Sequence, residues 1–283
     1  MSDALPDGAW VNPDIEGAFS LDTVVLDVDG VLVDVRESFR EAVRETVVEM
    51  QRAAGVRSPW RPSHEDIAVF KRAGGFNDDI DLGVALTAIG LAERTGDVAE
   101  IAAQCERVGG GLKALRFVAP GLPRILARDV VRIFDELYFG GLVEREVALV
   151  GPEFCAELRQ VGARSVALVT GRTPRELDAA MRRLQWRVGE LCGVVTGDMV
   201  RKPDPQCLDL VVQQCGPSSM VYVGDVRDDW ELVRAWREER PGSVPVRGVL
   251  IGDDVEMECY RSLGVDATLR NTADVLSMLA RWA

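Results

Sequence analysis

Thr23-Val24-Val25-Leu26-Asp27-Val28-Asp29-Gly30 is the stretch that decides the fold. Apolar and β-branched residues run without a polar break, then stop at two acids and a glycine. Such a run suits a parallel strand buried on both faces, ending where the chain enters a loop. Ligands of parallel α/β sheets bind outside the carboxyl ends of the strands. The residues that stop each apolar run are therefore the ones to inspect.

Before this stretch, the first 20 residues hold prolines and glycines without periodic apolar positions and read as an irregular lead-in. After it, Phe39, Val43, Val47 and Met50 recur at helical spacing between Glu37 and Ala54, and Gly55 ends the pattern. Residues 63–73, 78–94, 97–108 and 120–138 repeat the behaviour, broken by Gly74-Gly75 and Gly109-Gly110-Gly111. No strand-like run interrupts them. Beyond Gly140-Gly141 the pattern predicts helices over 152–161, 173–186, 205–215, 228–239, 254–262 and 271–282. Between them, strands are predicted over 165–170, 193–196, 220–224 and 247–251. Repeated βα units mean an α/β fold with a Rossmann-like, doubly wound parallel sheet. The expected organisation is a core of residues 1–33 and 141–283, with an all-helical domain inserted over 34–140.

The strand ends concentrate charge. The first strand stops at Asp27 and Asp29, the second at Thr170-Gly171-Arg172, and the fourth at Gly224-Asp225, with Asp228 and Asp229 just beyond. Arg201-Lys202-Pro203-Asp204-Pro205 lies between the third and fourth. Side chains two apart on a strand share a face at about 7 Å, so Asp27 and Asp29 can address one small ligand. Gathering Asp27, Asp29, Asp225 and Asp229 is destabilising unless cations share the pocket. Lys202 supplies one. An all-oxygen site with few carboxylates suits Mg²⁺, which keeps several waters and accepts substrate phosphate oxygens.

In that order, Asp27-x-Asp29-Gly30-Val31-Leu32, Thr170-Gly171-Arg172, Lys202-Pro203-Asp204-Pro205 and Gly224-Asp225-x-x-x-Asp229 resemble the four signatures of the haloacid dehalogenase superfamily of phosphohydrolases. The resemblance implies that Asp27 is a nucleophile forming an aspartyl-phosphate. It implies that Asp29 protonates the leaving oxygen and later activates water. Thr170 would bind the phosphoryl oxygens, and Lys202 would offset their charge and hold Asp27 ionised. Mg²⁺ would be held by Asp27, the Asp29 carbonyl and Asp225, with Asp229 in the outer shell. Val226 departs from the serine or threonine usual after the fourth-motif aspartate, and Asp228 is an additional acid without an assigned role.

The helical insertion matches the family's cap in kind. Phe70-Lys71-Arg72-Ala73-Gly74-Gly75-Phe76-Asn77-Asp78-Asp79 resembles the Gly-Gly-Phe-Asn loop of a branch found linked with histidine-biosynthetic enzymes. Lys71, Phe76 and Asn77 on it, with Gly171, Arg172 and Arg36, are the candidate substrate contacts. Two readings of the glycine pair stand side by side. It is either a loop that closes over substrate or a helix stop, with Asn77 capping the next helix.

Composition narrows the function. The net charge of −13 disfavours nucleic acid and anionic membranes as partners. A single histidine, His64, excludes multi-histidine metal sites. The six cysteines form no Cys-x-x-Cys pair and read as reduced thiols, consistent with a cytoplasmic protein. Residues Met1 to Asn12 lack a signal-peptide pattern, and no apolar run is long enough for a membrane span. The expected activity is hydrolysis of a small phosphorylated metabolite, with histidinol phosphate and sugar or polyol phosphates as candidates. A sugar phosphomutase on the same core is one alternative. A non-catalytic phospho-ligand-binding protein is another.

Overall fold

The computed structural model describes residues 5–15, 19–76 and 78–282. The chain divides into two compact units, Met1–Asp34 with Val147–Ala283, and Val35–Glu146.

Among the described residues the first unit is built on nine strands: β1 (Trp10–Val11), β2 (Thr23–Leu26), β3 (Val33–Asp34), β4 (Val147–Ala148), β5 (Ser165–Val169), β6 (Gly193–Val195), β7 (Met220–Gly224), β8 (Val246–Ile251) and β9 (Ala267–Leu269). Seven of them form one sheet in the order β1-β9-β8-β7-β2-β5-β6, and β3 pairs with β4 separately. All pairings in the large sheet are parallel except β1 with β9. The chain leaves β2 toward β5 and β6, then returns to the other side of β2 with β7. That reversal opens the crevice between β2 and β7 at their carboxyl ends. The predicted doubly wound α/β class is the observed one.

Every residue of β2 is buried, which accounts for the unbroken apolar run. Leu26 is in register with Leu168 of β5 and Val223 of β7. One residue further, the Asp27 amide donates to the Val223 carbonyl at 2.9 Å. The ladder thus carries Asp27 to the end of the central strand.

Six α-helices among the described residues make the second unit: α1 (Phe39–Ala53), α2 (His64–Arg72), α3 (Asp79–Leu91), α4 (Val98–Arg107), α5 (Gly111–Val118) and α6 (Ala127–Phe139). Helix α5 lies where the sequence showed only a glycine break. Helix α6 starts seven residues later than the apolar periodicity suggested, because Pro120, Gly121 and Pro123 hold the preceding chain out of helix. A turn at Leu142–Arg145 stays with this unit. The Tyr138 hydroxyl donates to Glu146 Oε1 at 2.6 Å there.

The two glycine runs meet backbone to backbone. The Gly111 amide donates to the Gly74 carbonyl at 3.1 Å. A Cβ on Gly110, whose φ is +70°, would lie 2.0 Å from the Gly74 oxygen. Only glycine fits so close an approach in that conformation.

The remaining helices cover the sheet: α7 (Phe154–Gln160), α8 (Pro174–Leu184), α9 (Gln206–Cys215), α10 (Arg227–Glu239), α11 (Asp254–Ser262) and α12 (Asp274–Leu279). Val25, Val169, Tyr222, Leu208, Val211, Leu232 and Trp236 belong to one apolar core formed with α9 and α10. Trp230 and Trp236 are packing residues, each donating its indole N–H to a carbonyl, that of Leu263 at 3.1 Å and Val244 at 3.0 Å. No helix among the described residues is long and apolar enough to cross a membrane.

One sequence expectation is overturned. Cys192 and Cys215 form a disulfide with Cα atoms 5.2 Å apart, rather than remaining thiols. They are 23 residues apart and meet only because α9 packs beside β6. Cys105, Cys155, Cys207 and Cys259 are free.

Candidate active site

Three strand-to-helix loops and the end of the central strand bring the site together. Asp27 follows β2, Thr170 follows β5, and Asp225 follows β7. Carboxylate oxygens of Asp27, Asp225 and Asp229 all lie within 4.8 Å of one another. Lys202 Nζ is 2.8 Å from Asp27 Oδ2 and 2.8 Å from Asp229 Oδ1, and its side chain is 3% exposed. The loop bearing Lys202 includes a cis peptide bond to Pro203.

The loop after β2 curls tightly. The Gly30 amide donates to the Val33 carbonyl at 2.9 Å, and the Val33 amide to the Val28 carbonyl at 2.9 Å. Gly30 has φ +73°, and a Cβ there would lie 1.8 Å from Asp225 Oδ2. The glycine is what lets the Asp225 carboxylate approach Asp27.

Asp229 is fully committed to protein partners. Its Oδ1 accepts from Lys202 and from the Tyr222 hydroxyl at 2.8 Å. Its Oδ2 accepts from the amides of Asp225 at 3.1 Å and Val226 at 3.2 Å, closing the first turn of α10. A residue so used orients the β7–α10 loop and Lys202, with little capacity left for direct coordination. Asp27 is less committed. Its Oδ1 accepts from the Val28 amide at 2.7 Å and its Oδ2 faces Lys202.

Burial pushes the Asp27 carboxyl up to about 7, with Asp229 and Asp29 adding to the rise and Lys202 opposing it. Burial alone would lower Lys202. The carboxylates of Asp229 and Asp27 outweigh it and hold the ammonium well above its ordinary value. Burial beside Asp229 likewise raises Tyr222. One ammonium therefore serves a pocket of several carboxylates, an imbalance that a divalent cation fits.

Thr170 is buried, and its Oγ1 accepts from the Arg172 amide at 3.2 Å, which leaves the hydroxyl hydrogen to donate elsewhere. Asp29 is partly exposed and pairs with Arg172. Gly171 is exposed between them. Of the helical-unit candidates, Arg36 is exposed, Lys71 pairs with Asp79 at 3.2 Å, and Phe76 is buried edge-on to Phe70 with centroids 4.9 Å apart. Asn77 lies outside the described residues. The cap of α3 is Asp78, whose Oδ1 accepts from the Ile80 amide at 2.8 Å. The three buried free cysteines offer no competing nucleophile near neutral pH. Burial pushes Cys105 up to about 11 and Cys155 and Cys207 up to about 12.

Sequence reasoning missed Tyr222 and Tyr260. The first orients Asp229, and the second donates to the Asp225 carbonyl at 2.6 Å. A hydroxyl-bearing residue inside the otherwise apolar run of β7 was the available signal for Tyr222.

Acids and a lysine gathered at the switch point of a doubly wound sheet define an α/β protein whose chemistry sits at its strand ends. The chain belongs to the haloacid dehalogenase-like hydrolase family, whose pattern matches residues 21–231. It is 29% identical over 221 residues to an imidazoleglycerol-phosphate dehydratase of Phytophthora nicotianae. That match covers 75% of this chain and 41% of the relative, so the chain spans less than half of the protein it matches. Among solved structures, phosphatase Tt82 from Thermococcus thioreducens superposes with TM-score 0.66 at 24% identity, covering 92% of this chain and 99% of that one. CbbY from Rhodobacter sphaeroides, in complex with phosphate, superposes with TM-score 0.55 at 17% identity, covering 89% and 95%. These two likenesses establish the fold.

Proposed function

We propose that the chain is a Mg²⁺-dependent phosphatase that hydrolyses a small phosphomonoester through an aspartyl-phosphate on Asp27. The observation that carries this reading is the buried Asp27 carboxylate, oriented by the Val28 amide and Lys202, with Thr170 and Asp225 at the neighbouring strand ends. Phosphoryl transfer asks mainly for in-line positioning and for charge to offset the phosphoryl oxygens.

In the first step a carboxylate oxygen of Asp27 forms a bond to phosphorus. The bond from phosphorus to the ester oxygen breaks, its electron pair stays on that oxygen, and the Asp29 carboxyl supplies the proton. The Thr170 hydroxyl and the Lys202 ammonium meet the phosphoryl oxygens. In the second step the Asp29 carboxylate removes a proton from water as the water oxygen bonds to phosphorus. The bond to Asp27 breaks, returning its electron pair to the carboxylate and releasing orthophosphate. Asp27, Asp225 and the Asp29 carbonyl would hold Mg²⁺, which supplies positive charge to the transferring group.

The relative's name, imidazoleglycerol-phosphate dehydratase, supports a phosphorylated imidazole metabolite such as histidinol phosphate as a candidate substrate. The solved complex of CbbY with xylulose-(1,5)bisphosphate supports a sugar phosphate. The test is phosphate release from an aryl phosphate and from both substrate types with Mg²⁺. Asp27→Asn is expected to lower the rate by at least roughly 1,000-fold. Equal rates in native protein and variant would overturn the reading.

A further inference from the structure

The sequence suggests that Arg172 contacts substrate, but the folded chain gives its guanidinium another use. The side chain is 0% exposed. Its Nε and Nη2 both lie 2.7 Å from the same oxygen, Oδ1 of Asp29. Its Nη1 donates to the Glu176 carbonyl at 2.9 Å. The backbone below it is fixed as well. The Arg172 amide donates to Thr170 Oγ1. Thr173 and Glu176 form a capping box at the start of α8, with the Thr173 amide donating to Glu176 Oε2 at 2.7 Å. A guanidinium anchored at both ends cannot follow a moving carboxylate, so the carboxylate is held to it.

We propose that Arg172 is the positioning residue for Asp29, sequestering Oδ1 so that Oδ2 alone carries the proton to the leaving oxygen and from water. Among the described residues Oδ2 accepts no hydrogen bond, and the 30% exposure of the Asp29 side chain leaves that oxygen open. Placement within a few tenths of an ångström matters because proton transfer requires hydrogen-bond contact with the reacting oxygen. This inference rests on the phosphatase reading of the same site.

The experiment compares phenyl phosphate, whose leaving oxygen needs a proton, with dinitrophenyl phosphate, whose leaving oxygen departs without one. It is run on the full chain with Mg²⁺ for the native protein, Arg172→Lys, Arg172→Gln and Asp27→Asn. Asp29 out of place predicts a roughly 100-fold fall for phenyl phosphate. Transfer from dinitrophenyl phosphate should stay within about threefold, with a burst of dinitrophenolate as water attack on the aspartyl-phosphate slows. The ratio of the two rates does not depend on how much protein folds, and Arg172→Lys keeps the buried positive charge if Arg172→Gln fails to fold. Equal losses in the transfer step on both substrates, with no burst of dinitrophenolate, would mean that Arg172 only supports the fold, and unchanged rates would mean that it does nothing for Asp29. Either outcome overturns the inference while leaving the nucleophile in place. Activity surviving in Asp27→Asn would instead remove the phosphatase reading beneath it.

Discussion

Lys202 stands between two buried carboxylates, and its removal leaves Asp27 and Asp229 facing each other without an ammonium. Breaking a buried pair from one side costs about 3–5 kcal/mol. Lys202→Met is therefore expected to lower unfolding stability by that order in urea titrations, and an unchanged midpoint would mean that the pair is not buried in solution. Asp27 gives a prediction with a definite sign. Burial raises its carboxyl from 3.8 to about 7, so between those values the folded chain keeps a proton that the unfolded chain has lost. The stability associated with that proton is complete below about 3.8 and declines as pH rises through about 7. In metal-free protein, Asp27→Asn should melt above the native chain by a margin that widens from about pH 5 to about pH 8. A margin that does not change with pH, in thermal melts with a chelator, would contradict the raised Asp27 carboxyl. Gly30→Ala tests the approach of Asp225, since the added carbon would lie 1.8 Å from Oδ2. The expected outcome is weaker Mg²⁺ binding by calorimetry.

Elements differ in how plainly the sequence announces them. The central strand and the βα repeats were legible because burial on both faces leaves long apolar runs, as in β2 and β7. Asp27, Asp225 and Thr170 were legible because each follows such a run, and Lys202 because one of the few lysines opens Lys202-Pro203-Asp204-Pro205 between two strands. Strand β9 was not, since Ala267–Leu269 is too short to show a period and owes its conformation to β8 and β1 on either side. The pairing of Arg172 with Asp29 was also hidden, because 143 residues separate them and only the β2–β5 register joins them. Helix α5 was hidden by its own first residue. Gly111 reads as a break, yet the contact of Gly110–Gly111 with Gly74–Gly75 is a helix-to-helix junction. Gly110→Ala should destabilise the chain by about 2–4 kcal/mol, through strain and a clash with the Gly74 carbonyl. Gly109→Ala, where an added Cβ meets nothing within 4 Å, should cost only the roughly 1 kcal/mol of its backbone conformation. Denaturant midpoints that fail to separate the two variants would remove the junction from the account.

At the scale of the whole chain, charge and architecture together say where a divalent cation should act. The net charge is −13, so an exposed acidic surface could collect Mg²⁺ weakly and diffusely. The acids within 4.8 Å of one another, by contrast, all belong to the α/β unit and to the ends of β2 and β7. Binding at that cluster stabilises the native state by RT ln(1 + [L]/Kd), about 2.7 kcal/mol at one hundred times Kd. The protection it confers must appear where the ligands are. Hydrogen exchange with and without Mg²⁺ should slow amides in Asp27–Val33 and Gly224–Asp229, and leave α1, α3 and α6 of the helical unit at their metal-free rates. Asp225→Asn should abolish the difference. Diffuse association would instead slow exchange slightly across acidic surface helices such as α10 and α11 and survive that substitution. Because the native cluster is already drawn together by Lys202, its metal-free geometry needs little rearrangement. The protected amides should therefore be those of the loops that carry the acids, and not those of the sheet interior.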